Sequence, residues 1–153
     1  MQDFLTTKGK LHIVVTDENG NVKEDREENN LVMDVGRAFT TSRMIGTSST
    51  VMSHMEVGTS STAATGAQTA LVALVASSRT ALTSSAQATV TTTNDSARYV
   101  CTFGAGVGTG ALTEAGIFNA ASAGTMLCRT VFAVVNKGAG DTMTVTWTVT
   151  LSS

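Results

Sequence analysis

The final stretch of the chain, residues 142–151, alternates apolar and hydroxyl side chains without interruption. Threonine fills one set of alternate positions, and the other set is apolar: Met143, Val145, Trp147, Val149 and Leu151. Successive side chains of a β-strand point to opposite faces of a sheet, whereas a helix would spread these apolar residues around its axis. The segment therefore predicts a β-strand with a covered apolar face and a threonine face that can be wet.

Further strand-like runs alternate with turn-forming segments through the second half of the chain. Candidate strands lie at 79–93 (with a break near 84–85), 97–104, 112–119 and 125–136. The chain has 27 threonines, which suit strands, and no proline, and its 153 residues fit one ordinary domain. Regularly spaced strands with turns between them indicate a sandwich or a barrel. We predict a mainly β protein, an antiparallel β-sandwich (jelly-roll-like) with one or two short helices, in which the second half forms a meander.

The N-terminal part contains a hairpin signal and then a helix signal. Asn19-Gly20 separates two extendable runs, 10–17 and 22–28, and both residues accept positive φ. The second run is too charged for a central strand, so we predict an edge arm or a solvated loop there. Apolar residues at helical spacing predict a short helix over 31–43, in which Gly36 is less favourable than alanine by about 1 kcal/mol.

These signals divide the chain into an N-terminal hairpin or arm, residues 1–30, and a β-sandwich domain, residues 31–153. Within the domain, residues 50–58 alternate and predict another strand, whereas the apolar run 69–76 is compatible with a helix or a buried strand. No apolar run is long enough to span a membrane. The first residues lack the basic and apolar parts of a signal peptide, so we expect assembly in the cytoplasm and no membrane partner.

Charge is distributed unevenly. Residues 1–34 carry eight acids and four bases, and residues 35–153 carry four acids and six bases, so no basic excess favours a nucleic-acid partner. Residues 44–94, which we call the neutral segment, contain only two charged side chains, Glu56 and Arg79. A freely diffusing monomer usually keeps about a quarter of its surface charged. The neutral segment therefore predicts a surface that meets other protein; a weakly charged but solvated Ser/Thr surface is the alternative.

No pattern in the sequence predicts catalysis or metal binding. His12 and His54 lie in different predicted strands, and no G-x-S-x-G motif accompanies them. Cys101 and Cys128 lie in apolar runs without a nearby histidine, so we expect buried core thiols without a disulfide. We expect no enzyme activity, no catalytic residue, no cofactor and no metal ion.

Two short motifs resemble ligand-binding loops without their full context. Residues 17–21 have oxygen ligands at alternate positions, but Val22 stands where a calcium loop needs glycine, so we predict a turn. Residues 106–111 match the loose dinucleotide pattern G-x-G-x-x-A, but a strand follows where a helix is needed, so we predict a hairpin loop. Dispersed arginines either bind carboxylates of a partner or form salt bridges within the fold. They are Arg37, Arg43, Arg79, Arg98 and Arg129.

The C-terminal half also carries longer motifs, TEAGIFNA at 113–120, GTMLCRTVF at 124–132 and NKGAGDTMTVTW at 136–147. Together they are similar to a pattern in structural proteins of tailed bacteriophages. Shorter upstream motifs also fit that pattern: SRMIGT at 42–47, MSHM at 52–55, VGT at 57–59 and TAL at 69–71. The resemblance covers residues 30–151, and capsid decoration, neck and tail-fibre proteins share it.

The resemblance implies a structural protein of the virion, located on the capsid exterior. We expect a capsid decoration (cement) protein that binds the major capsid protein across capsomers, stabilises the phage head and forms a homotrimer. A tail, neck or tail-fibre attachment component of the same virion is the alternative. A receptor- or glycan-binding module is a third hypothesis, which the single Trp and single Tyr disfavour. The acidic stretch 24–28 is the candidate contact for basic capsid residues, with a solvated charged loop as the alternative.

Overall fold

The computed structural model describes residues 5–47 and 50–152. They form one α-helix and nine antiparallel β-strands. In chain order these are β1 Thr6–Thr16, β2 Val22–Val32, α1 Asp34–Met44, β3 His54–Gly58, β4 Thr80–Ala81, β5 Ser84–Ala88, β6 Ser96–Phe103, β7 Gly110–Phe118, β8 Met126–Lys137 and β9 Thr142–Ser152. The predicted mainly antiparallel β class is confirmed.

The strands make one curled sheet in the order β4-β3-β7-β8-β2-β1-β9-β6-β5. The predicted meander is wrong, because β6 and β7 follow each other in the chain but are not neighbours in the sheet, and neither are β8 and β9. An alternating pattern shows which side chains face the core, but it does not say which strand lies alongside. Chain order was therefore an insufficient guide to strand pairing.

The main core lies on the concave side of the curled sheet and receives side chains from both of its halves. β9 lies between β1 and β6 and pairs with β1 along eleven residues. The predicted apolar face of β9 is buried from Met143 to Val149, Trp147 is fully enclosed, and only Leu151 is exposed. The threonines of the other face are half-buried, as predicted.

β2 does not lie at an edge of the sheet. It stands between β1 and β8 in the strand order. However, β2 pairs with β8 only through Leu31 and Val32, whereas it pairs with β1 along almost its whole length, so residues 22–28 have one unpaired edge, as predicted for an edge arm. The charged part of β2 is thus a strand with one paired side, which explains how so many charges are tolerated there.

The helix begins later than predicted, at Asp34, because β2 continues to Val32. The N–H of Met33 donates to the carbonyl oxygen of Leu127 in β8 at 3.0 Å, which fixes the start of the helix against the sheet. Gly36 is buried at the same contact, and a Cβ atom there would overlap the Leu127 carbonyl. The glycine that helix propensity marks as unfavourable therefore allows the helix backbone to touch the strand.

Residues 80–83 connect the two ends of the sheet. β4 pairs with β3, and the N–H of Leu82 then donates to the carbonyl oxygen of Ser53 at 2.8 Å. The next N–H, from Thr83, donates to the carbonyl oxygen of Val100 in β6 at 2.7 Å. The predicted strand 79–93 is consequently two short strands, which break near the predicted position and belong to opposite ends of the sheet.

Candidate interaction surface

The two charges of the neutral segment pair with each other. Arg79 Nη2 lies 3.0 Å from Glu56 Oε2, and the two side chains are only 15 % and 8 % exposed. The Arg79 guanidinium also lies 3.6 Å from the ring centroid of Phe118, and it donates to the carbonyl oxygen of Ala120 at 3.0 Å. Because both charges are buried and compensated, the neutral segment presents no unpaired charge to solvent.

The long connection from β3 to β4, residues 59–79, has neither a helix nor a named strand. Part of it nevertheless runs along β3. The N–H of Val75 donates to the carbonyl oxygen of Val57 at 2.9 Å, and the N–H of Thr59 donates to that of Ala73 at 2.8 Å. Residues 69–76 therefore form neither of the two structures that their sequence left open, because they follow a bent, irregular path with one bridge to β3, at Leu74.

A buried ion pair holds this connection against the sheet. Glu114 of β7 and Arg129 of β8 are both fully buried, with 2.7 Å between Glu114 Oε2 and Arg129 Nη2. The Glu114 carboxylate also accepts the N–H groups of Val72 at 3.1 Å and Ala73 at 2.7 Å. Arg129 in turn donates to the carbonyl oxygen of Thr62 at 3.0 Å. One ion pair thus fixes two separate points of the connection.

A small second core also packs against this connection. Leu71 packs there with Met33, Phe118 and Met126 on the side of β7 opposite the main core. Gly116 makes room for Leu71, because a Cβ at that position would lie 2.9 Å from the Leu71 side chain. The ion pair and this core together order a connection that has no backbone ladder of its own.

The outward side of the connection is uncharged and includes two exposed large apolar side chains. Leu71 is buried, whereas Val72 and Leu74 are 51 % and 55 % exposed. Eleven large apolar side chains are exposed among the described residues, and six of them belong to the neutral segment. These six are Met44, Ile45, Val51, Val72, Leu74 and Val90. The exposed side of the neutral segment therefore combines an absence of unpaired charge with several apolar side chains, and we call it the neutral surface.

The structure also has partly open clefts, one of which lies beside the helix. A cavity of about 270 Å³ opens between α1 and the sheet, lined in part by Phe39, Tyr99 and Leu127. Burial raises the pKa of Tyr99 above its ordinary value, and the Cys128 thiol adds to this shift. Pockets for small organic ligands usually measure about 300–1,000 Å³, so this cavity is at the lower limit.

The histidines and cysteines named from the sequence lie apart in separate contacts. His12 Nε2 is 2.7 Å from Asp25 Oδ1, and His54 Nδ1 is 2.8 Å from the hydroxyl of its neighbour Ser53. Both cysteines are free and buried, as predicted, in strands that are not neighbours. Burial raises the pKa of the Cys101 thiol to about 12, so the nucleophilic thiolate is suppressed at neutral pH.

The two motifs that resemble ligand loops are connections with internal contacts. The Asp17 carboxylate accepts the N–H groups of Asn19 and Asn21, each at 2.9 Å, which makes residues 17–21 the predicted turn. Residues 106–111 lead into a strand, as expected, but the prediction of a hairpin loop is wrong, because β6 and β7 do not pair. In residues 5–47 and 50–152, no group of three or more His, Cys, Asp or Glu side chains could hold a metal ion.

The arginines divide between the fold and the surface. Arg79 and Arg129 form buried ion pairs within the chain, and Arg37 pairs with Asp34 at the surface. Arg98 is exposed on β6. The buried pairs were missed because each joins residues far apart in the sequence. In the sequence, each pair is marked only by a glutamate and an arginine that lie in largely uncharged runs.

No helix in the described part of the chain is both long and apolar enough to cross a membrane. Compared with protein-family models, with curated proteins and with solved structures, the chain matches none.

Proposed function

We propose that this chain is a structural protein of a phage virion, a capsid decoration (cement) protein that binds across capsomers and stabilises the head. The observation that carries the proposal is the neutral surface, whose only two charges, Glu56 and Arg79, are buried against each other. The motifs shared with virion proteins supply the class of partner. Its partners are the major capsid protein and further copies of itself in a homotrimer.

The long connection 59–79 supports an interaction role. Loops of this length without secondary structure are usually functional or disordered, and this one is anchored by a fully buried ion pair. Ordering before binding reduces the entropy lost on association. Burying the exposed halves of Val72 and Leu74 contributes roughly 1 kcal/mol each to binding. Repeated over many copies on a lattice, such contacts give a substantial stabilisation.

The proposed mechanism is linkage between binding and assembly. The intact capsid presents a site that spans neighbouring capsomers, and separated capsomers do not. A protein that binds only the assembled state stabilises that state by mass action. The proposal also includes the finer architecture: the curled sheet is a jelly-roll-like sandwich whose two halves pack over the main core. The acidic hairpin, residues 1–30, then faces a neighbouring molecule.

The copy number of the protein in virions tests this function. Quantitative mass spectrometry of purified virions is expected to give a ratio to the major capsid protein within a few-fold of one. Particles that lack the protein are then expected to lose their DNA at a lower temperature than complete particles. A ratio near one in fifty would move the protein to the neck, tail or tail-fibre attachment site, and absence from virions would refute a virion role.

A further inference from the structure

β2 and β8 diverge after a short stretch of pairing. Leu31 and Val32 pair with β8, but in the described part of the chain the backbone of residues 23–30 pairs only with β1. Residues 130–137 of β8 likewise pair only with β7. We call the region between these two stretches the fork. Along both stretches the facing edges form no backbone ladder with each other, although the carbonyl oxygens of Asn29 and Ala133 accept side-chain donors.

Side chains, and not backbone groups, bridge the fork. The Thr130 hydroxyl donates to the carbonyl oxygen of Asn29 at 2.8 Å, and Arg26 Nη1 donates to that of Ala133 at 2.5 Å. Where the strands separate, a cleft of about 440 Å³ opens between Leu31, Val131 and the connection 61–64. The fork is therefore bridged near its base by the Thr130 hydroxyl and further out by the Arg26 side chain, and the cleft opens beside these two contacts.

The β2 side of the fork is acidic. Residues 24–28 hold four carboxylates and one guanidinium. Arg26 pairs with Glu24, and Lys10 of β1 lies 2.5 Å from Glu27, so two cations offset part of this charge. Asp25 pairs with His12, which is charged only when protonated. The edge consequently keeps an excess of negative charge at neutral pH.

We propose that the fork binds an extended, lysine- or arginine-containing segment of a partner protein, which adds to the free edge of β2 as a further antiparallel strand. Backbone hydrogen bonds supply the affinity in this mode of recognition, and cross-strand pairs of opposite charge select the sequence. The inference rests on the proposed function for one point, the identity of the partner as the capsid. The preference for a basic, extended segment follows from the fork itself.

Charge complementarity excludes a second copy of this chain as the occupant. Two β2 edges brought together would place carboxylates opposite carboxylates, which is destabilising in a sheet. Such repulsion prevents self-pairing of an otherwise open edge, and the same charges attract a basic strand. The acidic stretch thus discriminates between partners.

The direct test uses the full chain and a fluorescent peptide of alternating lysine and valine. Saturable binding is expected by fluorescence anisotropy, together with slower amide hydrogen exchange at residues 23–30. A peptide of alternating glutamate and valine is expected not to bind. A lysine–valine peptide that is N-methylated at alternate residues keeps its charge but cannot form the ladder, and it is expected to bind at least tenfold more weakly.

Matched variants locate the site. The double variant Glu24→Gln/Glu28→Gln is expected to weaken binding of the lysine–valine peptide at least fivefold at low salt. The control Glu18→Gln/Asp34→Asn removes the same charge elsewhere and is expected to change the affinity by less than twofold. Far-ultraviolet circular dichroism checks that all variants are folded.

Absence of saturable binding, equal binding of the N-methylated peptide, or exchange protection only outside residues 23–30 would each overturn the proposal. None of these outcomes depends on virions. A chain that is abundant on capsids but does not bind the peptide would therefore refute the fork alone, and a chain that binds the peptide but is absent from virions would refute the capsid function alone.

Discussion

The buried pair between Glu114 and Arg129 permits the sharpest prediction about stability. In the variant Glu114→Gln the side chain keeps its shape but loses its charge. An amide has one oxygen to accept hydrogen bonds, whereas the carboxylate accepts Arg129 and the N–H groups of Val72 and Ala73. The amide NH₂ group would also face another donor. The variant therefore leaves a fully buried guanidinium without its counter-charge.

The loss of stability in Glu114→Gln follows from this geometry. Removing one partner of a buried ion pair destabilises a protein by about 3–5 kcal/mol, a large part of the 5–15 kcal/mol that is typical for a whole domain. Replacing both charges, as in Glu114→Met/Arg129→Met, often restores stability in other buried pairs. Here it is expected not to, because the N–H groups of Val72 and Ala73 would remain without an acceptor.

Urea unfolding, monitored by the fluorescence of Trp147, measures this loss of stability. With a denaturant dependence of about 2 kcal/mol per molar urea, the midpoint is expected to fall by about 2 M. The surface control Glu28→Gln, whose carboxylate is 4.0 Å from Arg26, is expected to change the midpoint by less than about 0.3 M. A shift below about 0.5 M for Glu114→Gln would show that the pair does not anchor the connection 59–79.

Three further predictions concern packing, pH and the environment of the core. The variant Gly36→Ala is expected to destabilise the protein by about 1–3 kcal/mol in urea unfolding, because its Cβ would overlap a backbone carbonyl of β8. This loss is expected although alanine favours helices. The control Gly104→Ala, which has open space around it, is expected to leave the stability nearly unchanged. The N–H of Thr92 and further donors hold the pKa of Asp95 well below its ordinary value, so the stability that the Asp95 carboxylate contributes is present above about pH 4 and is lost as the pH falls below that value. Thermal unfolding at pH 3 and pH 7 is therefore expected to show that Asp95→Asn loses less stability on acidification than the unchanged protein does. An equal loss of stability in the two proteins would contradict this assignment. The fluorescence of Trp147, which is fully buried, is expected to shift to longer wavelength on unfolding and to resist quenching by iodide before it; strong quenching of the folded protein would place the indole at the surface.

Several strands could be predicted from the sequence, because alternate residues in them are buried, as in β9. The alternation around Trp147 predicts both the extent of β9 and its buried side, and the Gly- and Asn-rich breaks give the strand ends to within a few residues. Strand order was not predictable in this way. β9 pairs with β1, which lies more than a hundred residues earlier, and no local pattern encodes that choice.

The candidate surface was predictable only in part. The scarcity of charge in residues 44–94 indicated an uncharged surface, but not the burial of Glu56 and Arg79 against each other. Nor did the sequence indicate that Glu114 would anchor a connection about forty residues away. Such contacts depend on which strands become neighbours, and a single sequence does not contain that information in local form. Gly36 shows the reverse case, in which a tertiary contact overrides the local helix preference.

The most direct test of the central claim compares hydroxyl-radical footprints of the free protein and of the protein on virions. If the neutral surface docks on the capsid, labelling of Val72 and Leu74 is expected to fall several-fold on the particle. Labelling of Leu151 on β9, which is 38 % exposed in the free chain and lies outside both the neutral surface and the fork, is expected to change little. Unchanged labelling of Val72 and Leu74 on virions would contradict the assignment of this surface as the docking site.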